Sequence, residues 1–393
     1  PGEVSFFRPI DISLPSPTMT LSRTQNSNYK MNLLYSVNYS RTFNQKHEVT
    51  ALVNFTRDNW VNRTTSPDLY YNVIGTAARV TYGYESRYLA EVNMGYNGSE
   101  QFAPTRRFGY FPAASVGWVI SNENFMSSLS EKLITNLKLR ASYGIVGNDQ
   151  GVGRFLYLDN TSYQNLDVLG LNTGPSGFSS LGEGQRLLQL SIGNSNLGWE
   201  TAKKQNYAID LELFGRLGLS FDYFVENRSN ILISRNTIPL LQGFPIGNLP
   251  RVNMGKMDNK GFEFELSYKK VITSDFFIST RGNLAYNHNT VVFVDEPKRI
   301  GDYAYEYRQQ GFPLGTNWGY LINWNDNGGY FSDGDDIANY KNAEGEHITY
   351  SGRAPRPGDF KYIDLNKDGV IDTKDVAPIG YPQIPELTFA FNI

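Results

Sequence analysis

Residues 217–226 read LGLSFDYFVE, and every second side chain in this stretch is apolar. The apolar side chains share one parity, at Leu217, Leu219, Phe221, Tyr223 and Val225, whereas Asp222 and Glu226 belong to the other. A period of two places alternate side chains on opposite faces of a β-strand. The same period returns at residues 88–96 and 262–269. The sequence therefore predicts an all-β chain in which each strand has one apolar and one polar face.

Weaker alternation extends the pattern to about eleven predicted strands. They cover residues 30–41, 47–57, 71–84, 87–97, 110–120, 136–146, 201–214, 217–228, 262–270, 276–288 and 381–392. Many of them are about ten residues long or longer, whereas strands of soluble proteins average about five to six residues. This length favours strands that cross a membrane.

The predicted connections alternate between short and long. The long ones cover about residues 58–70, 98–109, 147–200, 229–261 and 289–380. Transmembrane barrels have short turns at one end and long loops at the other, which are the periplasmic and extracellular ends. The predicted fold is therefore an antiparallel transmembrane β-barrel, with a large soluble all-β protein as the alternative. Eleven strands do not make the even number of a closed bacterial barrel, so we expect residues 1–393 to be part of a barrel domain.

Composition excludes several other classes of protein. The 393 residues carry a net charge of -3, contain no cysteine and are 14% aromatic. This balance of charge lacks the basic footprint of a nucleic-acid-binding protein. The absence of cysteine excludes disulfides and Cys-ligated metals. No apolar run approaches the roughly 18 residues that a transmembrane helix needs. The last residues, 389–393, lie partway through an alternating strand pattern, and both termini fall inside the strand series of a barrel, so we expect a segment of a longer polypeptide.

Several separated blocks of sequence stand out along nearly the whole chain, at residues 96–99 (YNGS), 102–104 (FAP), 107–112 (RFGYFP), 115–118, 136–144, 194–201 (NSNLGWET), 253–263 (NMGKMDNKGFE) and 311–320. In sequence and in order these blocks resemble the SusC/RagA family of TonB-dependent outer-membrane transporters. Gln310 replaces an acidic residue of the last family block. The chain is thus identified as a member of this family, from the middle and later part of its barrel.

The resemblance implies a function as well as a fold. Members of the family form 22-stranded barrels in the bacterial outer membrane, with an N-terminal plug domain and a SusD-like surface lipoprotein as partner. They import oligosaccharides or peptides with energy delivered by TonB. The plug and the TonB box are expected to lie outside this sequence. The implied partners are the SusD-like lipoprotein, TonB, outer-membrane lipid and a glycan or peptide cargo, and we expect neither an enzymatic activity nor an organic cofactor.

Residues 364–375 read DLNKDGVIDTKD and have the spacing of an EF-hand-type calcium loop. Oxygen donors are predicted from Asp364, Asn366, Asp368, the carbonyl of Val370, Asp372 and Asp375, with Gly369 at the sharp turn. Asp at the last position is shorter than the usual Glu, as in dockerin loops. The predicted cofactor is a structural Ca²⁺ that fixes a long extracellular loop, and the alternative is an acidic turn without an ion.

An aromatic cluster lies in the longest predicted loop, among asparagines and glycines. It comprises Trp318, Tyr320, Trp324, Tyr330 and Phe331. Exposed rings beside amides are suited to stacking on sugar rings, so Trp318, Tyr320, Trp324 and Tyr330 are candidate substrate contacts. The alternatives are a cluster that holds the loop itself together and a surface that meets the lipoprotein.

Two functional alternatives stay open at the level of sequence. One is an outer-membrane barrel that serves protein export or assembly, because the fold itself does not separate export from import. The other is a secreted, calcium-stabilised β-protein that binds glycans. The latter would need a second calcium repeat or a pair of catalytic carboxylates, and the sequence contains neither pattern.

Overall fold

The computed structural model describes residues 28–61, 70–130, 133–149, 153–167, 183–298, 308–342 and 344–393. One antiparallel sheet of eleven strands dominates these residues, and its order follows the chain. In that order the strands are β1 (Tyr29–Phe43), β2 (His47–Val61), β3 (Tyr70–Tyr84), β4 (Tyr88–Ser99), β5 (Phe108–Val119), β6 (Ile134–Asn148), β9 (Glu200–Leu213), β10 (Leu217–Ile233), β11 (Val252–Val271), β12 (Phe277–Phe293) and β17 (Leu387–Asn392). The predicted all-β fold with eleven sheet strands is confirmed.

The remaining elements are short and lie in the connections. Three small sheets pair β7 (Asn160–Asp167) with β8 (Glu183–Ser191), β13 (Trp318–Tyr320) with β16 (Val376–Pro378), and β14 (Thr349–Tyr350) with β15 (Val370–Ile371). The helices are α1 (Ser127–Ser130) and α2 (Gly334–Asn339), and 3-10 turns cover Ile120–Asn122, Asn124–Met126, Leu240–Gln242, Ile246–Asn248, Asn327–Gly329 and Thr373–Asp375. Among the described residues, no helix has the length and apolar character needed to cross a membrane.

Tight turns join three of the hairpins at one end of the sheet, each in a connection of three residues, 44–46, 85–87 and 214–216. The central residues of the β1–β2 turn, Asn44 and Gln45, both have positive φ, and so do those of the β3–β4 and β9–β10 turns. Turns of this type match the right-handed twist of the flanking strands. The connections after β2, β4, β6, β10 and β12 lie at the other end, which we call the long-loop end.

The two faces of the sheet differ in polarity. The outer face carries apolar side chains that neighbouring strands place in rows, such as Trp118, Leu139, Ile209 and Phe221. Many of them are exposed, with Val37 at 73% and Phe389 at 79%. The inner face carries most of the acidic and basic residues of β9 to β12, which include Asp210, Glu212, Asp222, Glu226, Glu263, Glu265 and Arg281. An apolar outer face and a polar inner face are the pattern of a membrane barrel wall.

Strands β10 and β11 extend further than the sequence predicts, so the loop predicted over 229–261 is too long. β11 begins at Val252 rather than at 262, and β10 continues to Ile233. The register between these strands shifts near Ile231, next to Asn230 with its positive φ. In addition, Lys260 lies on the outer face opposite Val225. Both features break the apolar alternation that the prediction used.

The loops predicted over 147–200 and 289–380 contain structure of their own. The first contains the β7–β8 hairpin, and β12 continues to Phe293 before the second begins. The last sheet strand, β17, begins at Leu387 rather than at 381. Pro382 and Pro385 precede it and have no backbone N–H to donate, which explains the shorter strand.

Candidate functional site

Residues 318–378 form a small folded unit in the connection between β12 and β17, which we call the loop module. Its core is a cluster of buried side chains, with tyrosines and one isoleucine packed around it: Phe331, Ile348, Tyr350 and Ile371 inside, and Tyr320, Ile337, Tyr340 and Tyr362 at the border. The β13–β16 pair closes the module at its base. Burial raises the pKa of the Tyr350 phenol to about 12.

A buried lysine lies beside this core. Lys361 is fully buried, and its Nζ lies 2.7 Å from Asp336 Oδ1 and 3.0 Å from Asp326 Oδ2. The ammonium also lies over the rings of Phe331 and Tyr340, at 5.4 and 5.7 Å from the ring centres. Burial acts to lower the pKa of Lys361, but the hydrogen bonds to Asp336 and Asp326 outweigh it and raise the pKa. The same hydrogen bond lowers the pKa of Asp336.

The predicted calcium residues form one hydrogen-bonded loop at the edge of the module. Asp364 accepts hydrogen bonds from the backbone N–H groups of Lys367 (2.6 Å) and Gly369 (2.8 Å). Gly369 has a φ of 78°, as the sharp turn of such a loop requires. Asp375 is fully buried and accepts from the backbone N–H groups of Leu365 (2.9 Å) and Asp372 (3.0 Å). The chain therefore follows the tight path that the spacing predicts.

The donor atoms of this loop are mainly engaged with the loop itself. Asp368 accepts from the backbone N–H of Val370 at 2.9 Å, and its Oδ2 lies 3.0 Å from the ammonium of Lys374. Burial acts to raise the pKa of Asp368, but Lys374 and Asn366 outweigh it and lower the pKa. In the part of the chain that the structure describes, no three His, Cys, Asp or Glu side chains are grouped as metal ligands. The oxygen-rich donor set suits a hard cation, and Ca²⁺ binding stays a prediction.

The predicted aromatic cluster divides into two groups. Trp318 packs edge-on against Phe312 with ring centres 4.9 Å apart, and Tyr320 packs against Tyr362 at 5.2 Å. Trp324 is 62% exposed and Tyr330 is 45% exposed. Phe360, which the sequence analysis did not single out, contacts Tyr330 at 4.6 Å. The structure therefore places Trp318 and Tyr320 in packing positions and leaves Trp324 and Tyr330 open to a ligand.

A buried aspartate joins two of the long connections. Asp295 is 8% exposed and accepts hydrogen bonds from the Thr237 hydroxyl (2.7 Å) and the Asn236 backbone N–H (2.8 Å). Arg235 Nε adds a contact at 3.3 Å. Although burial acts to raise the pKa of Asp295, these donors lower it. The connection between β10 and β11 is thus fixed to the start of the β12–β17 connection.

Four of the family-like blocks meet in one cluster at the long-loop end. Trp199 packs between Phe102 and Phe111, at 5.4 and 5.3 Å between ring centres, and its Nε1 donates to the Arg107 carbonyl at 2.9 Å. Asn253, from another block, exchanges two 2.9 Å hydrogen bonds with the backbone of Gly198. These residues fix the connections to the strands, so the blocks are explained by packing.

Ion pairs cross the inner face of the sheet. Arg140 binds Asp210 through two hydrogen bonds of 2.7 and 3.0 Å and lies 3.4 Å from Asp222. Arg281 lies 3.2 Å from Glu265. The inner face therefore combines both signs of charge with amides and hydroxyls, as a wet lumen does.

A sheet of long strands with an apolar outer face, a polar inner face and its three longest connections at one end is the wall of a membrane β-barrel. The family model described as "TonB dependent receptor-like, beta-barrel" matches residues 7–366, and the chain belongs to this family.

Curated relatives and solved structures agree with this membership. TonB-dependent receptor P39 of Formosa agariphila is 30% identical over 389 residues, which are 85% of this chain and 35% of that protein. TonB-dependent receptor SusC of Bacteroides thetaiotaomicron is 28% identical over 221 residues, 54% of this chain and 20% of that protein. The RagAB peptide importer in its closed-closed state matches 93% of this chain and 39% of that chain, with a TM-score of 0.66 and 16% identity, and this likeness shows the fold.

The resemblance to SusC/RagA transporters is therefore confirmed. The matched part of the chain spans about a third of the length of TonB-dependent receptors P39, P3 and P26 of Formosa agariphila, at 35%, 31% and 33%.

Proposed function

We propose that the full-length protein imports a large nutrient, an oligosaccharide or an oligopeptide, across the bacterial outer membrane with energy from TonB and with a SusD-like lipoprotein as partner. The observation that carries the proposal is the match of residues 7–366 to the TonB-dependent receptor barrel. A relative named SusC and a structural neighbour described as a peptide importer support import over export.

The asymmetry of the two barrel ends supports one orientation in the membrane. The connections after β1, β3 and β9 contain three residues each, whereas the connection between β12 and β17 contains the whole loop module. Outer-membrane barrels have short periplasmic turns and long extracellular loops. The long-loop end is therefore proposed to be extracellular, which places the loop module where cargo and lipoprotein arrive.

Trp324 and Tyr330 are the proposed cargo contacts of the loop module. Their rings are exposed, and Asn325 and Asn327 lie beside them in the sequence. An aromatic face buries apolar area against a sugar ring or a peptide side chain, and amides supply hydrogen bonds. Trp318 and Tyr320 pack inside and are proposed to support this surface rather than to touch cargo.

We propose that Ca²⁺ stabilises the loop of residues 364–375. Asp364, Asn366, Asp368 and Asp372 would supply side-chain oxygens and Val370 its carbonyl, while Asp375 holds the backbone of the loop. The ammonium of Lys374 would then leave Asp368, because a bound cation takes its place. Metal binding to such a loop contributes directly to the stability of the folded segment.

Limited proteolysis of the full-length protein tests the calcium proposal. Trypsin cleavage after Lys367 and Lys374 should slow when Ca²⁺ is added and should not respond to an equal concentration of Mg²⁺. Asp368→Asn should abolish the effect, whereas Asp335→Asn, an exposed carboxylate elsewhere in the module, should retain it. Equal cleavage with and without Ca²⁺ in the unchanged protein would refute the proposal.

Deletion of the gene in its native host tests the proposed transport. The mutant should lose growth on one class of polymeric nutrient, glycan or peptide, and should grow normally on the matching monomers. Loss of TonB should have the same effect. The full-length protein, purified from detergent-solubilised outer membranes, should bring one lipoprotein with it in equal amount.

Two outcomes would contradict this reading. Unchanged growth on every polymeric nutrient would remove import as the function. Co-purification with secretion or assembly components in place of a lipoprotein would favour the export alternative.

A further inference from the structure

The loop module concentrates the negative charge of the chain. Residues 318–378 contain eleven aspartates and glutamates against six lysines and arginines, which is a net charge of -5. The whole chain has a net charge of -3, so the residues outside the module carry a net charge of +2. With the one Ca²⁺ proposed above, the module would still carry a net charge of -3. The negative charge is therefore a property of the module and not of the chain as a whole.

Ion pairs inside the module leave this excess of negative charge in place. Three cations lie in such pairs: Lys361 with Asp326 and Asp336, Arg353 with Asp359, and Lys374 with Asp368. A second set of carboxylates is exposed and has no cation within 4 Å in the described part of the chain: Asp333, Asp335, Glu344 and Glu346. Three other cations are exposed as well, and they are Lys341, Arg356 and Lys367. They offset the negative charge only in part, so the surface of the module stays acidic.

The two exposed aromatic rings of the module lie close to its carboxylates. A methyl group on Gly329 would lie 3.1 Å from Trp324 Cε3, so the indole lies against this backbone while the side chain stays 62% exposed. Asp326 follows Trp324 by two residues, and Asp333 follows Tyr330 by three. An extended chain covers at most about 3.6 Å per residue, so these pairs of Cα atoms are no more than about 7 and 11 Å apart. A molecule that stacks on either ring therefore enters the negative field of the module.

The strength of this field at the rings follows from Coulomb's law. Two unit charges about 10 Å apart in water change a binding equilibrium about twofold. Because such factors multiply, four exposed carboxylates disfavour one negative charge on a ligand about tenfold at low ionic strength. Salt screens the field over about 30 Å at 0.01 M ionic strength and over about 8 Å at 0.15 M. Uncharged hydroxyls and amides meet no such repulsion, and cationic groups are attracted.

We propose that the loop module selects cargo chains that are uncharged or cationic and rejects chains that carry carboxylates, sulfates or phosphates. The inference rests on the proposed function, because it concerns the cargo that Trp324 and Tyr330 contact. A neutral polysaccharide and a basic peptide share this chemistry, and the nutrient on which growth is lost distinguishes the two sources.

Growth of a strain that lacks the gene tests the proposal on a panel of nutrients sorted by charge. The panel contains uncharged glucans and mannans, polyuronates and sulfated galactans, and lysine-rich and glutamate-rich peptides. Growth should be lost on an uncharged glycan or on the lysine-rich peptides and should be unchanged on every polyanion. Loss of growth on a polyuronate, a sulfated galactan or the glutamate-rich peptides would overturn the charge selection and leave import standing. Unchanged growth on the whole panel would instead overturn the proposed import and this inference with it.

Binding of a matched pair of oligomers to the full-length protein measures the selection. The pair consists of an oligomer of the nutrient that the deletion identifies and the same oligomer with one added terminal carboxylate. At 0.01 M ionic strength, the carboxylated oligomer should bind about tenfold more weakly than the unmodified one, and the difference should decrease at 0.15 M. Equal binding of the two oligomers at 0.01 M would overturn the proposal.

A pair of substitutions assigns the effect to the module. Asp333→Asn combined with Asp335→Asn removes two charges, and asparagine at 333 can keep the helix cap, where Asp333 accepts from the Asp336 backbone N–H at 2.8 Å. This variant should bind the carboxylated oligomer about fourfold more tightly than the unchanged protein and the unmodified oligomer equally. The matched control is Glu48→Gln combined with Asp275→Asn, which removes two exposed carboxylates at the end of the sheet opposite the long-loop end. An equal gain in the control, or none in the module variant, would overturn the assignment to the module.

Discussion

Replacing Lys361 by methionine removes the ammonium at the centre of the loop module and keeps most of the side-chain volume. The ammonium is the common partner of Asp336 at 2.7 Å and Asp326 at 3.0 Å. Without it, two carboxylates are left facing the aromatic core and each other. We therefore expect the module to open more readily while the sheet keeps its stability.

The size of the effect follows from how far the three groups are buried. Loss of one partner of a fully buried ion pair costs about 3–5 kcal/mol. Here the side chains of Asp326 and Asp336 are 46% and 21% exposed, so water can solvate them in part. We therefore expect a smaller loss of about 2 kcal/mol in the free energy of opening. This corresponds to about 30-fold faster exchange, since 1.36 kcal/mol is a factor of ten.

Hydrogen–deuterium exchange of the full-length protein measures this effect segment by segment. Peptides from residues 318–378 should exchange faster in Lys361→Met, and peptides from β4 and β5 should be unchanged. Lys341→Met is the matched control, because Lys341 is an exposed lysine of the same module. Adding Asp326→Asn and Asp336→Asn to Lys361→Met should restore part of the protection. Unchanged exchange of the module in Lys361→Met would refute the reasoning.

Further predictions concern the module, the loops and the sheet. The pKa of Asp336 is lower in the folded protein than its ordinary value of 3.8, so its contribution to stability is present above that value and is lost as the pH falls below about 4. Protection of the module, which is exchange corrected for the pH dependence of the chemical exchange rate, should therefore decrease below that pH, and constant protection from about pH 6 to 3 would contradict this. Trp324→Ala should weaken cargo binding by about 1–3 kcal/mol, whereas Trp318→Ala should mainly speed hydrogen exchange of the module. Equal losses of cargo binding in the two variants would contradict the assignment of Trp324 to cargo contact and of Trp318 to packing. Asp295→Asn should destabilise the connection over 234–251 by about 1–3 kcal/mol, measured by exchange of that segment. In Gly261→Ala, the added methyl group would lie 2.1 Å from the Tyr286 carbonyl oxygen, so the folded barrel should lose its electrophoretic heat resistance at a lower temperature than the unchanged protein.

The alternation of apolar and polar side chains was enough to predict the sheet, because one face of each strand is turned to an apolar environment and the other to a polar one. The alternation fails where both faces of a strand carry polar residues. Lys256, Asp258 and Lys260 lie on the outer face of β11, towards the long-loop end and beyond the apolar rows, and no sequence period marks them as a strand. The β1–β2 turn was found by its position between strands, although Asn44 and Gln45 include no glycine.

The loop module shows which features depend on tertiary contacts. The spacing of oxygen donors from Asp364 to Asp375 is local, so the tight loop was predictable. Lys361 carries no sequence signal, because its carboxylate partners lie 25 and 35 positions earlier in the chain. Sequence alone could not distinguish the exposed Trp324 from the packed Trp318 either, because the difference between them depends on which other residues pack against each ring in the folded module.

Site-directed labelling in intact cells tests the orientation of the barrel most directly. This chain contains no cysteine. Once any cysteines elsewhere in the full-length protein are replaced, a single introduced cysteine is therefore the thiol that the label modifies. Leu241 is 99% exposed at the long-loop end, and Gln45 lies in the β1–β2 turn at the opposite end. A membrane-impermeant maleimide should label Leu241→Cys in intact cells and Gln45→Cys only after the outer membrane is opened. Labelling of Gln45→Cys in intact cells, with Leu241→Cys protected, would contradict an importer whose long loops receive cargo outside the cell.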